Sequence, residues 1–200
     1  YSLLFLKHMT RESALKLLHD NMKNQNLRRH CYAVEAVMRA LYKRLEGEDK
    51  SSYAKTSEEN WGIAGLLHDA DYEITKDNEP KINHTKHILE WLKKAEAETD
   101  IYDAIAAHGW GYVEGAPEPQ TKMQWALYTC DELTGLIVAV ALVKPDKKLS
   151  SVTVESVMKK WNSSSFAAGV NRSQIEECEP RLGIPLREFV EIALSSMQSI

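Results

Sequence analysis

Apolar residues recur every three to four positions along most of this chain, the spacing of one buried helix face. Thr10 is placed to cap a first helix running to about Asn21, with Ala14, Leu15, Leu17 and Leu18 on its apolar side. Gln25 and Asn26 interrupt the pattern. A second helix is expected from about Leu27 to Glu46, stopping at Gly47, with His30, Val34, Val37, Met38, Leu41 and Leu45 on one face. Thr56 and Glu59 fit a capping box for a third, in which His68 aligns with Trp61, Ala64 and Gly65. Those small residues let another helix approach. A fourth helix, about Ile82 to Ala97, aligns His84 with Ile88, Trp91 and Leu92 and leaves His87 on a mixed face. A fifth, from about Asp100, ends near His108, which aligns with Ile101, Ala104 and Ile105. Thr121 opens a long helix to about Val143, with Asp131 on the face of Leu127, Thr134 and Val138. Further helices are expected over Val152 to Trp161, Arg172 to Arg181, and Pro185 to Gln198, with Pro185 at the first helical position. The stretch from Val152 to Val157 also reads as a strand.

Between these segments lie polar connectors: residues 48–55, the acidic stretch from Asp71 to Pro80, and the Gly/Pro-rich loop 109–119. Nothing predicts a hairpin, a βαβ unit or a repeat. The expected fold class is therefore all-α: one domain over residues 9–200, with a core at 27–143 and C-terminal helices at 150–200. Residues 1–8 read as a leader remnant outside the fold, with Met9 as a natural start.

Composition narrows the functional classes. A formal charge of -4 argues against binding a nucleic-acid polymer. No stretch is read as the roughly 18 apolar residues that span a bilayer, so no membrane role is expected. Three cysteines (Cys31, Cys130 and Cys178) without a CxxC spacing imply reduced thiols, and a cytoplasmic setting is the expectation. Cys31 and Cys130 adjoin candidate polar residues but point about 100° away on a helix.

The chemistry centres on Trp61-Gly-Ile-Ala-Gly-Leu-Leu-His68-Asp69, an apolar run closing on an imidazole and a carboxylate. Charge on such a surface needs a partner, and a divalent cation suits both groups. His30, His84, His108 and Asp131 are also inward polar residues on other helices. An interior holding these acids without a matching inward Lys or Arg would leave carboxylates uncompensated, which bound cations resolve.

The ordered set Arg29-His30-Cys31, Leu67-His68-Asp69-Ala70 and Cys130-Asp131-Glu132 resembles the HD-domain metal-dependent phosphohydrolases, over roughly Leu27 to Val143. His84 and His108 match two further histidines of many two-metal members. The resemblance implies that His30, His68, Asp69 and Asp131 hold one divalent ion, and that His84 and His108 hold a second with Asp69 bridging. With one ion only, His84 and His108 would contact phosphate or donate a proton. Asp69, His84 and His108 are thus the implied catalytic residues, and Fe, Mn, Co, Ni, Zn or Mg the implied cofactor. The implied reaction is hydrolysis of a phosphate ester of a small metabolite, with a nucleotide as the expected substrate. Arg28, Arg29, Lys122 and Arg172 are candidates to hold its phosphate. Trp110 and Tyr112 in the 109–120 loop are candidates to stack on a ligand.

The chain departs from the commonest subgroup by following the pair with Ala-Asp71-Tyr-Glu73, where Ile-Gly-Lys is frequent. Asp71 and Glu73 either orient water or are solvated loop charges. The stretch from Asp131 to Ile137, with Phe166 to Arg172, is similar to a bacterial subgroup of predicted HD hydrolases, which implies no substrate. Two other readings are a non-catalytic metal-containing nucleotide-binding or signalling module, and a helical bundle with coincidental histidines.

Overall fold

Helix signals decide most of the architecture. The computed structural model describes residues 8–47, 57–163 and 165–200. The helices are α1 (Arg11–Asn21), α2 (Gln25–Leu45), α3 (Glu58–Leu67), α4 (Tyr72–Thr75), α5 (Pro80–Asn83), α6 (Lys86–Lys94), α7 (Thr99–His108), α8 (Lys122–Leu142), α9 (Val154–Trp161), α10 (Arg172–Glu176), α11 (Cys178–Leu182) and α12 (Leu186–Gln198). A 3₁₀ turn spans Leu149–Ser151, and no strand occurs among the described residues. The all-α class follows. Residues 1–7 of the expected leader (1–8), the 48–55 loop and the Thr56 cap lie outside the described residues.

Side-chain caps set the boundaries. Thr10, Thr121 and Thr153 each form capping boxes, with Ser13, Gln124 and Ser156. Ser57 caps α3. Asn24 accepts from Asn26 and Leu27 N–H, so α2 starts two residues earlier than the pattern suggested. The Thr153 cap makes 154–161 helix and not strand. The segment from Arg172 to Arg181 divides at Glu177 into α10 and α11, and Pro185 sits at the N-cap of α12, one position outside its expected place.

Two placements hold the centre together. α2 crosses α3 at Gly65, where an added Cβ would stand 2.8 Å from the Val34 carbonyl oxygen. Only glycine permits that approach, and it brings His30 to His68. α8 runs through the middle, touching α2, α7, α10, α11 and α12. By length and composition α8 could cross a membrane, contrary to the sequence expectation, but 67% of its apolar window is buried inside the protein. That is the signature of a core helix. Val138, expected inward with Asp131, is instead 43% exposed.

The fourth expected helix is broken. Thr85 takes a left-handed backbone, φ 70°, and separates α5 from α6. His84 is buried, as periodicity expected, but lies in the joint and not within a continuous helix.

Candidate metal centre

Each of the six candidate ligands comes from a different structural position. His30 lies in the second turn of α2, and Asp131 mid-way along α8. His68 is the C-cap of α3, and Asp69 follows it. His84 occupies the α5–α6 joint, and His108 ends α7. Two helix C-termini thus point at one spot, and their carbonyl ends favour a cation there.

The donors form two trios, His30 with His68 and Asp131, and Asp69 with His84 and His108. In the first, His30 Nε2 is 2.9 Å from Asp131 Oδ1 and 3.1 Å from His68 Nε2. In the second, His84 Nε2 is 3.2 Å from both Asp69 Oδ1 and His108 Nε2. Asp69 faces both trios. Its Oδ2 lies 3.6 Å from His30 Nε2 and 3.7 Å from His68 Nε2, while its Oδ1 serves the other side.

The outer ring nitrogens decide what the inner ones are. His68 Nδ1–H donates to the Gly65 carbonyl at 2.8 Å, and His108 Nδ1–H to the Ile105 carbonyl at 2.7 Å. Both are carbonyls in the last turn of the histidine's own helix, where acceptors lack helical partners. His84 Nδ1–H donates to Asp71 Oδ1 at 3.1 Å. Thr134 Oγ1 gives its proton to the Asp131 carbonyl at 2.8 Å and so accepts from His30 Nδ1–H at 3.3 Å. A neutral imidazole carries one N–H, so all four Nε2 atoms present lone pairs inward. Lone pairs facing each other at 3.1 and 3.2 Å need a cation between them. Four imidazoles and two carboxylates are a donor set that divalent transition ions favour, so the residues fit such a group.

Without a metal, protons take that place. Burial lowers His68, but the charges of Asp69 and Asp131 outweigh it and raise the pKa to about 9. Burial likewise lowers His84, and its bonds to Asp69 and Asp71 lift it to about 10. Burial raises Asp69, and the surrounding imidazoles pull it well below the ordinary carboxylate range. Asp131 is lowered in the same way by His68 and His30. Burial and the neighbouring carboxylates push the Cys31 thiol up, and burial with Asp131 does the same to Cys130, so both stay protonated and are poor ligands.

Asp71 was missed as a structural group. Its side chain is fully buried, not a solvated loop charge. Besides His84, it accepts N–H bonds from Thr85 at 3.2 Å, His87 at 3.1 Å and Ile88 at 3.2 Å. One carboxylate therefore starts α6, stabilises the joint and aims His84. No spacing rule flags an acid that caps a helix begun elsewhere in the chain. Glu73 accepts from Lys23 and Asn24 N–H, at 2.6 and 2.9 Å, and anchors the α1–α2 turn.

The cationic candidates are placed elsewhere. Arg28 donates to the Met22 and His19 carbonyls at the end of α1. Lys122 pairs with Glu46 at 3.0 Å. Arg172 donates to the carbonyls of Trp161, Ser163 and Phe166, tying down the C-terminal loop. Of the four, Arg29 alone stands exposed on the His30 turn, with a 3.4 Å contact to Asn26. Trp110 is half-buried against Trp125 and Tyr128. Tyr112 is exposed, its ring centre 6.4 Å from that of His84, and Tyr72 flanks the same ring at 5.5 Å. His87 is exposed and stacks on Trp91, away from the centre.

Comparison with curated proteins and with solved structures gave no match. The HD-domain family model matches residues 27–141, more than half of the chain and all six converging side chains. HD domains typically bind divalent metals, and their superfamily consists generally of hydrolases. The chain belongs to the HD-domain family.

Proposed function

We propose that this protein is a metal-dependent phosphohydrolase acting on a phosphate ester of a small metabolite. The observation that carries the reading is the inward convergence of four imidazole lone pairs on two carboxylates, with every Nδ1–H turned outward. His30, His68, Asp131 and Asp69 Oδ2 would hold one divalent ion, and His84, His108 and Asp69 Oδ1 a second. Such ions supply positive charge to phosphoryl oxygens and lower the pKa of water.

The chain's own residues do the positioning. Asp69 fixes the spacing between the two trios. Asp71 and the Gly65, Ile105 and Thr134 oxygens keep each Nδ1 protonated and each Nε2 available. His30 and Asp131 are about one quarter exposed, which leaves the first trio open to substrate. In the reaction a water oxygen bonds to phosphorus and the bond from phosphorus to the alcohol oxygen breaks. The alcohol departs with one proton of the water, leaving inorganic phosphate. A nucleotide is the member of this class expected from the sequence.

The test is metal analysis of the purified protein, followed by phosphate release from nucleotides and simple phosphomonoesters with Mn²⁺, Fe²⁺, Co²⁺ or Mg²⁺. Bound metal and metal-dependent release are expected. A protein that takes up no metal and releases no phosphate under any of these ions would overturn the proposal.

A further inference from the structure

The stripes that carry the ligands do not end at the metal centre. On α8, Asp131 is followed at helical spacing by Gly135, Val138 and Leu142, and on α2, His30 is followed by Ala33 and Ala36. Between them runs a groove of about 1210 Å³, lined at one end by His30 and Thr134 and at the other by Leu142, Leu149, Met197 and Ile200. His30 thus belongs both to the first trio and to the groove wall.

The groove's chemistry is graded. Beside His30 stands the exposed cation Arg29. Further along, the floor is methyl groups and glycine, and the far rim is aliphatic, with Val138, Leu142 and Ile200 at 43%, 59% and 70% exposure. The polar side chains of the opposite wall bond mainly to one another. Arg11 binds Glu35 at 2.6 and 3.0 Å, Arg39 binds the same carboxylate at 3.0 Å, and His19 bonds the Tyr32 hydroxyl at 2.6 Å. The His19 ring also meets the Tyr32 ring edge-on. From Thr134 to Leu142 the groove runs about 12 Å at 1.5 Å per residue, enough for roughly nine or ten extended carbons.

We infer that the groove takes the leaving group, and that the substrate is a phosphate monoester of an alcohol bearing an aliphatic chain. The inference rests on the phosphohydrolase reading and narrows its substrate away from nucleotides. The phosphate would sit at the first trio, and Arg29 would face its remaining charge. The hydrolysis itself is the one given above, releasing the long-chain alcohol and inorganic phosphate.

The test uses methyl-, butyl-, octyl- and decylphosphonate, which are not hydrolysed, below their micelle thresholds. Calorimetry would measure their binding to Mn²⁺-treated and chelated protein, and the matching alkyl phosphates and adenosine monophosphate would be assayed for turnover. Affinity should rise steadily with chain length, by up to about fourfold for each fully buried methylene. Ala36→Leu, which fills the floor, should abolish that dependence while metal content stays unchanged. Chain-length-dependent binding without turnover of any ester would support the groove and refute the hydrolase reading. Turnover of nucleotides with affinity flat across the alkyl series would refute the groove and leave the hydrolase reading standing. A dimer in solution that binds no phosphonate would also overturn it, the groove then being the seat of a second copy.

Discussion

The two trios of the metal centre are built in opposite ways. The first takes two of its three donors, His30 and Asp131, from the interiors of the long helices α2 and α8. Those side chains are partly exposed, and their backbone positions are set by local hydrogen bonding and core burial. In the second trio, Asp69 and His84 stand outside the helices, and His108 stands at a helix end. His84 and His108 are buried, and His84 is aimed by a carboxylate from another segment. The comparison teaches that regular helices can present one donor trio, whereas the other depends on an interruption of the helical pattern. The first site should therefore tolerate disturbance that the second does not.

The most damaging change predicted is Asp69→Ala, because that carboxylate serves both trios. Metal content should drop at both sites, and phosphate release should fall by more than about a hundredfold, since both ions lose a ligand. Retained turnover would show the centre to be wrongly assigned.

His84→Ala should separate the trios. Metal stoichiometry is expected to fall by one ion, with the first site still loaded, as measured by elemental analysis after dialysis. Loss of both ions would mean that the trios do not act as separate sites.

Asp71→Asn touches no proposed ion. It weakens the acceptor for His84 Nδ1–H, and second-site metal affinity should fall by about 10–100-fold. First-site affinity should be unchanged by calorimetry. Equal weakening at both sites would point to a general loss of stability and against a positioning role.

The smallest effect concerns pH in chelated protein. His68 and His84 have folded pKa values of about 9 and about 10, above the ordinary 6.5. A raised pKa contributes stability that is complete below 6.5 and is lost as pH rises through 9 to 10. Asp69 and Asp131 are lowered from 3.8, so their contribution holds above that value and is lost in acid. The Tm of chelated protein should thus decline between pH 7 and pH 10, and metal should reduce that decline by replacing the protons. A chelated Tm that rises over this range would contradict the arrangement.

Much of this was legible from residue order. His30, His68 and His108 follow apolar helix faces, so periodicity turned them inward; it turned Asp131 inward as well, although Val138 on the same expected face is exposed. His84 was also expected inward, but for a reason the structure replaces: it is oriented by a break that no local pattern announces. Asp71 was illegible because its partners lie in a segment more than ten residues away. Arg28, Lys122 and Arg172 look available in the sequence, since a cation's neighbours along the chain do not reveal which carbonyls or carboxylates will fold against it.

By itself the sequence determined the helical class, the caps Thr10 and Thr121, and the inward set of histidines and acids. These depend on interactions within one or two helical turns, which residue order encodes directly. Tertiary structure alone decided that Asp69 faces both trios, that Asp71 holds His84, and that a groove leads from His30 to Ile200. Each of those depends on segments separated in sequence meeting at a distance of a few ångströms.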